Sequence, residues 1–451
     1  MMDPVSIGIF ALIALVVLIG LRLPIAYAMI LIGGIGIALI NGPNLLLNQL
    51  KTLAYFQFSK YSLTVVPMFI LMGCLASKTG LSRALFRAAN AWFGWLRGGT
   101  AMAVIASCAG FGAVCGSSIA TVSTMGRVAL PELKKFNYSN SLATGSVAAG
   151  GVLGILIPPS VALTIYAIIV EANIVSMFLA AIIPGLMATV LFILVVAGYV
   201  LVVPNSGPRG AGVDTKEFIA ATKGVIPVLI IFLLVIGGMF FGFYNPTPAA
   251  AIGVFLVLVF GLINRQLKTK GIAEAIKETA ATTGMIYLIL FGAELMKIFL
   301  SRVGLPQTTA AWIIETGISP LGVMIIILIG LILLGCLMDS LSMILLVIPF
   351  FWPMLVEING GIYQGTEGSG FGMSTEELKI WFGILALIVV ELGLITPPVG
   401  LNVFVISSLA KDVPMVDTFK GVAPFFGIEI IRVAIVFAFP ILTLWLPSLG
   451  T

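Results

Sequence analysis

The chain has 451 residues, 60% of them hydrophobic and 9% charged, with a formal net charge of +5 and no histidine. Soluble domains carry about 25% charged residues, so this composition excludes an ordinary soluble enzyme and indicates an all-α polytopic membrane protein. The small positive charge lies between hydrophobic segments, where it sets orientation under the positive-inside rule and gives no sign of nucleic-acid binding.

Taken in chain order, residues 5–21, 174–203, 225–243 and 418–446 are each long enough to cross a bilayer core of about 30 Å, which needs roughly 20 residues. Residues 5–21 lack a basic n-region and a small-residue cleavage site, so they read as a retained first span, and Arg22 puts its far end in the cytoplasm. A return through 24–40, an outside stretch at 41–60 and a re-entry through 63–76 leave Lys78, Arg83, Arg87 and Arg97 inside. Residues 81–96 mix aromatic and basic side chains, as an arm helix at the interface does. If 98–112 and 118–133 both crossed, each would be short and AGFGAVCGSS would be a loop exposed to lipid, which lipid does not tolerate. A re-entrant hairpin over about 98–135 resolves this, with Arg97 and Lys134–Lys135 at its cytoplasmic feet. The next span, about 139–170, is broken at Pro158-Pro159.

Residues 204–223 are rich in Gly and Pro, carry Arg209, Lys216 and Lys223, and read as a cytoplasmic connection between halves. After two more spans, Arg265, Lys268, Lys270 and Lys277 mark another inside connection. Residues 285–300 then cross outward, 308–318 resemble the arm, and about 320–356 form a second hairpin. Its foot holds Glu357, Glu367, Glu376 and Glu377 and no basic residue, which places it outside. A second broken helix at about 378–410 and a final span complete the chain. The expected organisation is N-terminal scaffold spans at 1–60, a first repeat at 61–203, linker and scaffold spans at 204–284, and an inverted second repeat at 285–451. Both termini are expected on the periplasmic side.

The halves also match in sequence. GSSIATVSTMGRVALPEL at 116–133 aligns without a gap with MDSLSMILLVIPFFWPML at 338–355, setting Ser117 against Asp339, Ser118 against Ser340 and Pro131 against Pro353. LGILIPPS at 153–160 matches LGLITPPV at 392–399. A polar tip followed by a segment broken at Pro-Pro, occurring twice, is the pattern of duplicated discontinuous helices around a midplane site in secondary transporters.

At the first tip, Gly110, Gly112, Gly116, Ser117, Ser118 and Thr121 combine backbone groups that approach a ligand closely with hydroxyls that coordinate a cation or donate to a carboxylate. Close helix packing by small residues is the plainer alternative. Asp339 is an intramembrane carboxylate, which is expensive unless it lines a cavity or pairs; a structural hydrogen bond is its alternative. Glu391 divides evenly between function and structural support, and Glu294 with Lys297 and Arg302 reads as a salt-bridged or interfacial group. The Pro-Pro breaks free backbone carbonyls, to which Ser160 and Thr396 add hydroxyls. Neutral oxygens and the missing histidine favour Na⁺ as the coupled ion, with a proton on Asp339 or Glu391 as the alternative. Cys74, Cys108, Cys115 and Cys336 lie in apolar stretches without CxxC spacing and read as small buried hydrophobes. Without a Ser-His-Asp set or a GxxxxGK[ST] loop, the sequence gives no reason to expect an enzyme.

With GFGAVCGSSIATVSTMG, GGVLGILIPPSVAL, CLMDSLSMILLVIPF and ELGLITPPVGLNVFV, the chain resembles the large membrane subunit of tripartite ATP-independent periplasmic (TRAP) transporters, among the elevator-type ion transporters, over nearly its whole length. The resemblance implies the bacterial inner membrane, a periplasmic substrate-binding protein, and a small four-helix membrane subunit, here expected as a separate chain. It further implies one Na⁺ site at Gly112, Ser117, Ser118, Gly154 and Pro158 and a mirror site at Gly335, Asp339, Gly393 and Thr396. The organic acid substrate would lie between the tips at Ser117, Ser118, Ser160, Asp339 and Ser340. No arginine stands at either tip, which leans towards a sialic-acid-type monocarboxylate over a C4-dicarboxylate. A channel and a stand-alone carrier without a binding protein are the rival readings.

Overall fold

The computed structural model describes residues 3–210, 212 and 214–450. The described residues are helical throughout apart from turns and one isolated β-bridge between Arg97 and Arg209. Among the described residues, six helices are long and apolar enough to cross a membrane, or up to eight when two bent pairs each count as one span.

The chain opens with α1 (Pro4–Gly20), α2 (Ile25–Asn41) and α3 (Pro43–Phe58), then a 3-10 turn (Tyr61–Thr64) leading into α4 (Val65–Ala76). Helix α3 occupies the stretch expected as an outside connection. Pro43 starts it with a preset φ where no N–H is needed. Leu45, Leu46 and Leu53 pack on the core while Asn48 and Lys51 stay exposed, so the segment is amphipathic, and its low hydrophobicity hid it. The chain bends by 57° between α3 and the segment Tyr61–Ala76.

The stretch expected as an arm forms α5 (Leu81–Phe93), and the stretch expected as a hairpin forms two helices, α6 (Gly99–Cys115) and α7 (Ser118–Lys135). The broken segment is α8 (Asn140–Leu156) and α9 (Val161–Val170), bent by 42°, and the Pro158-Pro159 peptide bond is cis. α10 (Ile174–Val202) follows. The connection after it runs back along the foot of α6: Gly98 N donates to Gly207 O at 3.0 Å, Gly210 N to Gly94 O at 3.0 Å, and Ser139 N to Ser206 O at 2.9 Å.

Helices α11 (Thr215–Lys223) and α12 (Ile226–Phe232), a π-turn (Leu233–Gly237) and α13 (Gly238–Phe240) form one candidate span, so part of the expected linker is helical. α14 (Pro246–Ile263) and α15 (Thr269–Arg302) come next. α15 starts well before the expected position 285 and carries Lys270 and Lys277 on its first turns; at 34 residues it extends about 50 Å. Glu274 and Glu278, one turn apart on α15, each lie 3.2 Å from Lys78 Nζ, so this charged stretch is pinned to the end of α4.

The second half repeats the order with α16 (Leu305–Glu315), α17 (Pro320–Gly335), α18 (Ser340–Asn359), α19 (Thr375–Gly393), α20 (Leu401–Leu409), α21 (Met415–Ala438) and α22 (Ile441–Leu449). The single span expected over 418–446 is interrupted at Phe439. That residue precedes Pro440, whose ring disfavours helical backbone before it, and Phe439 sits at φ −124°, ψ 75°. The Pro397-Pro398 bond is cis like its counterpart.

Packing runs crosswise between the halves. α6 packs on α8, and α17 on α19. Yet α7 packs on α20 and α18 on α9, while α2 packs on α15 and α14 on α4. The hydrophobic core is therefore shared, and the two polar tips come to lie beside one another within it.

Candidate functional site: a cavity between two helix tips

At the first tip α6 ends at Cys115, Gly116 takes a left-handed turn, and Ser117 caps α7 by accepting from Ala120 N at 3.4 Å. At the second, Asp339 caps α18, its carboxylate accepting from Ser342 N at 3.2 Å. Each tip thus presents the positive end of a helix next to an oxygen-bearing side chain. Glycine permits both tips to seat against the broken helices. A Cβ on Gly112 would lie 2.8 Å from Gly154 Cα, and one on Gly393 would lie 2.6 Å from Gly335 Cα, well inside normal carbon contact.

The tips face a cavity of about 580 Å³, a size suited to a small organic ligand. Ser117, Ser118, Asp339 and Ser340 line it together with Ile155 and Val161 beside the first break, Gly73 and Cys74 from α4, Ser77 just after it, and Glu278, Thr282 and Met285 from α15. The lining holds two carboxylates, Asp339 and Glu278, and no Lys or Arg among the described residues. A larger cavity of about 680 Å³ lies elsewhere, at the foot of α7 beside Arg127, Lys134 and Asp412.

Ser160 was expected with the tip residues. It is fully buried, caps α9 by accepting from Leu163 N at 3.3 Å, and does not line the cavity; its neighbour Val161 does. Ser118 and Ser340 line the cavity but direct their hydroxyl protons away from it. Both donate to Glu391, Ser118 Oγ to Oε2 and Ser340 Oγ to Oε1, and Glu391 is fully buried at the end of α19. The sequence singled out Glu391 without resolving its role, because a lone carboxylate in an apolar run does not reveal what it faces.

For a cation, the first break provides the better match. Thr121 Oγ1 is buried with no hydrogen-bond partner. It lies beside Gly154, and a Cβ on Gly154 would stand 2.8 Å from Ser117 O. Buried Pro158 removes a further backbone donor nearby. An unpartnered hydroxyl among carbonyl oxygens suits a hard monovalent ion. The mirror region differs. Met343 aligns with Thr121, the Thr396 hydroxyl donates to Leu392 O at 2.6 Å, and Pro397 and Pro398 are exposed whereas Pro158 and Pro159 are buried. There the spare oxygen belongs to Asn402, which sequence reasoning missed: its amide nitrogen donates to Ala148 O at 3.3 Å and its Oδ1 has no partner. A single amide in the apolar turn after Pro-Pro-Val-Gly was the available signal.

Two other charged groups fall outside the tips. Glu294 lies 3.8 Å from Lys297, matching the expected salt bridge. Glu429 and Arg432 form a fully buried ion pair within α21, and Arg432 Nη1 also donates to Pro184 O of α10 at 3.0 Å.

The family model described as "Tripartite ATP-independent periplasmic transporter, DctM component" matches residues 12–442. The chain is 31% identical over 389 residues to the C4-dicarboxylate TRAP transporter large permease protein DctM of Pseudomonas aeruginosa, covering 86% of each chain. It is 29% identical over 390 residues to the sialic acid TRAP transporter large permease protein SiaM of Vibrio cholerae, covering 86% of this chain and 87% of that one. The crystal structure of the Alcanivorax borkumensis YdaH transporter shares the fold, with a TM-score of 0.61 at 13% identity over 97% of this chain and 98% of the other. A helical chain whose two polar tips meet at one cavity, matched almost end to end by that family model, belongs to the DctM component family, the large membrane permeases of tripartite ATP-independent periplasmic transporters.

Proposed function

We propose that this permease carries out sodium-coupled uptake of a carboxylated organic solute across the bacterial inner membrane, receiving it from a periplasmic substrate-binding protein and working with a separate small four-helix subunit. The observation that carries the reading is the cavity of about 580 Å³ in which both tips face α4 and α15. In this reading the two halves are inverted repeats, as the crosswise packing and matched breaks favour. The pairs α6–α7 and α17–α18 with the broken helices form the moving body of an elevator, and α2, α4, α14 and α15 belong to the scaffold. Ser77 and Glu278 extend the cavity towards Lys78, a residue on the cytoplasmic side by charge, so the state described is inward-facing.

The residues divide the work. Ser117, Thr121 and the carbonyls near Gly112, Gly154 and Pro158 hold one Na⁺; Gly335, Gly393, Thr396 and Asn402 border a second, with Asp339 at the cavity edge. A substrate carboxylate in a lining that has its own carboxylates and no cationic side chain among the described residues needs the charge of a bound Na⁺, and such a lining suits a monocarboxylate better than a dianion. The relatives' names cover both a C4-dicarboxylate and sialic acid; the lining favours the sialic acid type.

The test is uptake of labelled sialic acid into proteoliposomes holding the permease and its small subunit, with the binding protein outside. Uptake that requires both the binding protein and an inward Na⁺ gradient supports the reading. Transport of succinate in its place overturns the substrate, uptake driven by a pH gradient without Na⁺ overturns the ion, and uptake without binding protein overturns the tripartite arrangement.

A further inference from the structure

Glu391 is the last carboxylate of α19 before the second break, and its oxygens are divided between the halves. Ser118 is the first residue of α7 and Ser340 the first of α18, so one carboxylate lies at the positive ends of two helices that begin from opposite tips. All three side chains are buried, with Glu391 at 0%, Ser118 at 1% and Ser340 at 3% exposure. Burying a carboxyl group is costly unless donors replace its water, and the two serine hydroxyls occupy one oxygen each. The neighbours of these serines, Ser117 and Asp339, line the cavity. The carboxyl group that joins the two serines therefore lies one residue behind a cavity-facing oxygen at each tip.

We propose that Glu391 is a positioning residue for transport: one carboxylate holds Ser118 of the first tip and Ser340 of the second, so that both tips order and release as a unit. This rests on reading the tips as the substrate-facing part of a transporter, but its test needs no transport. It predicts that damage at one tip appears at the other.

The experiment is hydrogen exchange read by mass spectrometry on the permease with its small subunit in lipid nanodiscs. Glu391→Ala is expected to raise exchange about tenfold or more in both 112–124 and 335–345, with α2 and α14 unchanged. Glu391→Gln is expected to keep most of the protection, because an amide accepts from one serine through its oxygen and donates to the other through its nitrogen. If Glu391→Ala does not assemble, Ser118→Ala carries the test: it is expected to raise exchange at 335–345 as well as at its own tip. An effect of Ser118→Ala confined to 112–124, or Glu391→Ala leaving either tip as in the wild type, overturns the proposal. The same samples compared in Na⁺ and K⁺ test the coupling ion separately; indifference to Na⁺ removes the sodium reading and leaves the comparison among variants decisive for Glu391.

Discussion

Replacing Thr121 by valine separates a cation ligand from an idle buried hydroxyl, because the two roles predict opposite signs. Valine keeps the shape and removes only the oxygen that is buried without a partner. An unsatisfied buried hydroxyl costs about 1–3 kcal/mol, so in K⁺ alone Thr121→Val should be at least as stable as the wild type. A bound ion adds stability by mass action, about 2.7 kcal/mol when its concentration is a hundred times Kd. If the variant weakens Na⁺ binding a hundredfold, the same concentration adds only about 0.4 kcal/mol, so most of the Na⁺-induced gain disappears. The assay is thermal unfolding of the purified permease in K⁺ and in Na⁺ at equal ionic strength. The expected result is a wild type stabilised by Na⁺ and a variant equal or higher in K⁺ but nearly insensitive to Na⁺. A variant with the full Na⁺-dependent shift refutes the cation role of Thr121, and a variant that loses stability in K⁺ refutes the claim that its hydroxyl is idle without the ion.

Gly393→Ala sets a Cβ 2.6 Å from Gly335 Cα, backbone against backbone, so α17 and α19 must separate; a loss of about 1–3 kcal/mol and a lower unfolding temperature are expected, whereas Gly198→Ala, with open space around it, should change little. Arg432→Ala leaves Glu429 buried and unpaired and should cost about 3–5 kcal/mol, while Arg432→Met with Glu429→Leu should recover most of it, checked by the same unfolding assay. At the ends of α7 and α5, hydrogen bonding to Lys134 holds the Asp412 carboxyl below its ordinary value, and hydrogen bonding to Arg87 does the same for Glu217. A lowered carboxyl contributes stability above its unfolded pKa of about 4 and loses it as pH falls through the folded value. Hydrogen exchange at the ends these pairs join, 85–90 with 215–220 and 132–136 with 410–414, should therefore be unchanged between pH 6 and 8 and rise below about pH 4, and Asp412→Asn together with Glu217→Gln should abolish that pH dependence.

The local features that positioned the tips were legible because each is a strong signal over a few residues: Pro-Pro in an apolar run, Gly-Ser-Ser after a short helix, Asp339 in a hydrophobic segment. Features that depend on a distant partner were not. Helix α3 was missed because its stability comes from one leucine face packed on the core, and its composition alone reads as a connection. The early start of α15 was missed because Lys78, far back in the chain, anchors Glu274 and Glu278. Asn402 went unnoticed, and the contacts of Ser118 and Ser340 with Glu391 were not foreseen, for a related reason. Their partners, Ala148 and Glu391, lie in other helices, and the direction of a hydroxyl proton has no sequence signature.

The crosswise packing of α7 on α20 and α18 on α9 also governs how the protein is made. When α7 leaves the ribosome, its partner α20 is still about 270 residues away, a delay of roughly 10–50 s at ordinary rates of synthesis. Throughout that interval Gly126 and its neighbours, which pack on Leu409 and Ile406 in the finished protein, have no native surface to meet. The packing surface of α7 is completed only by the second half, so insertion of this chain is a problem of waiting as much as of hydrophobicity. Two separately expressed halves should assemble only when both are present in the same membrane.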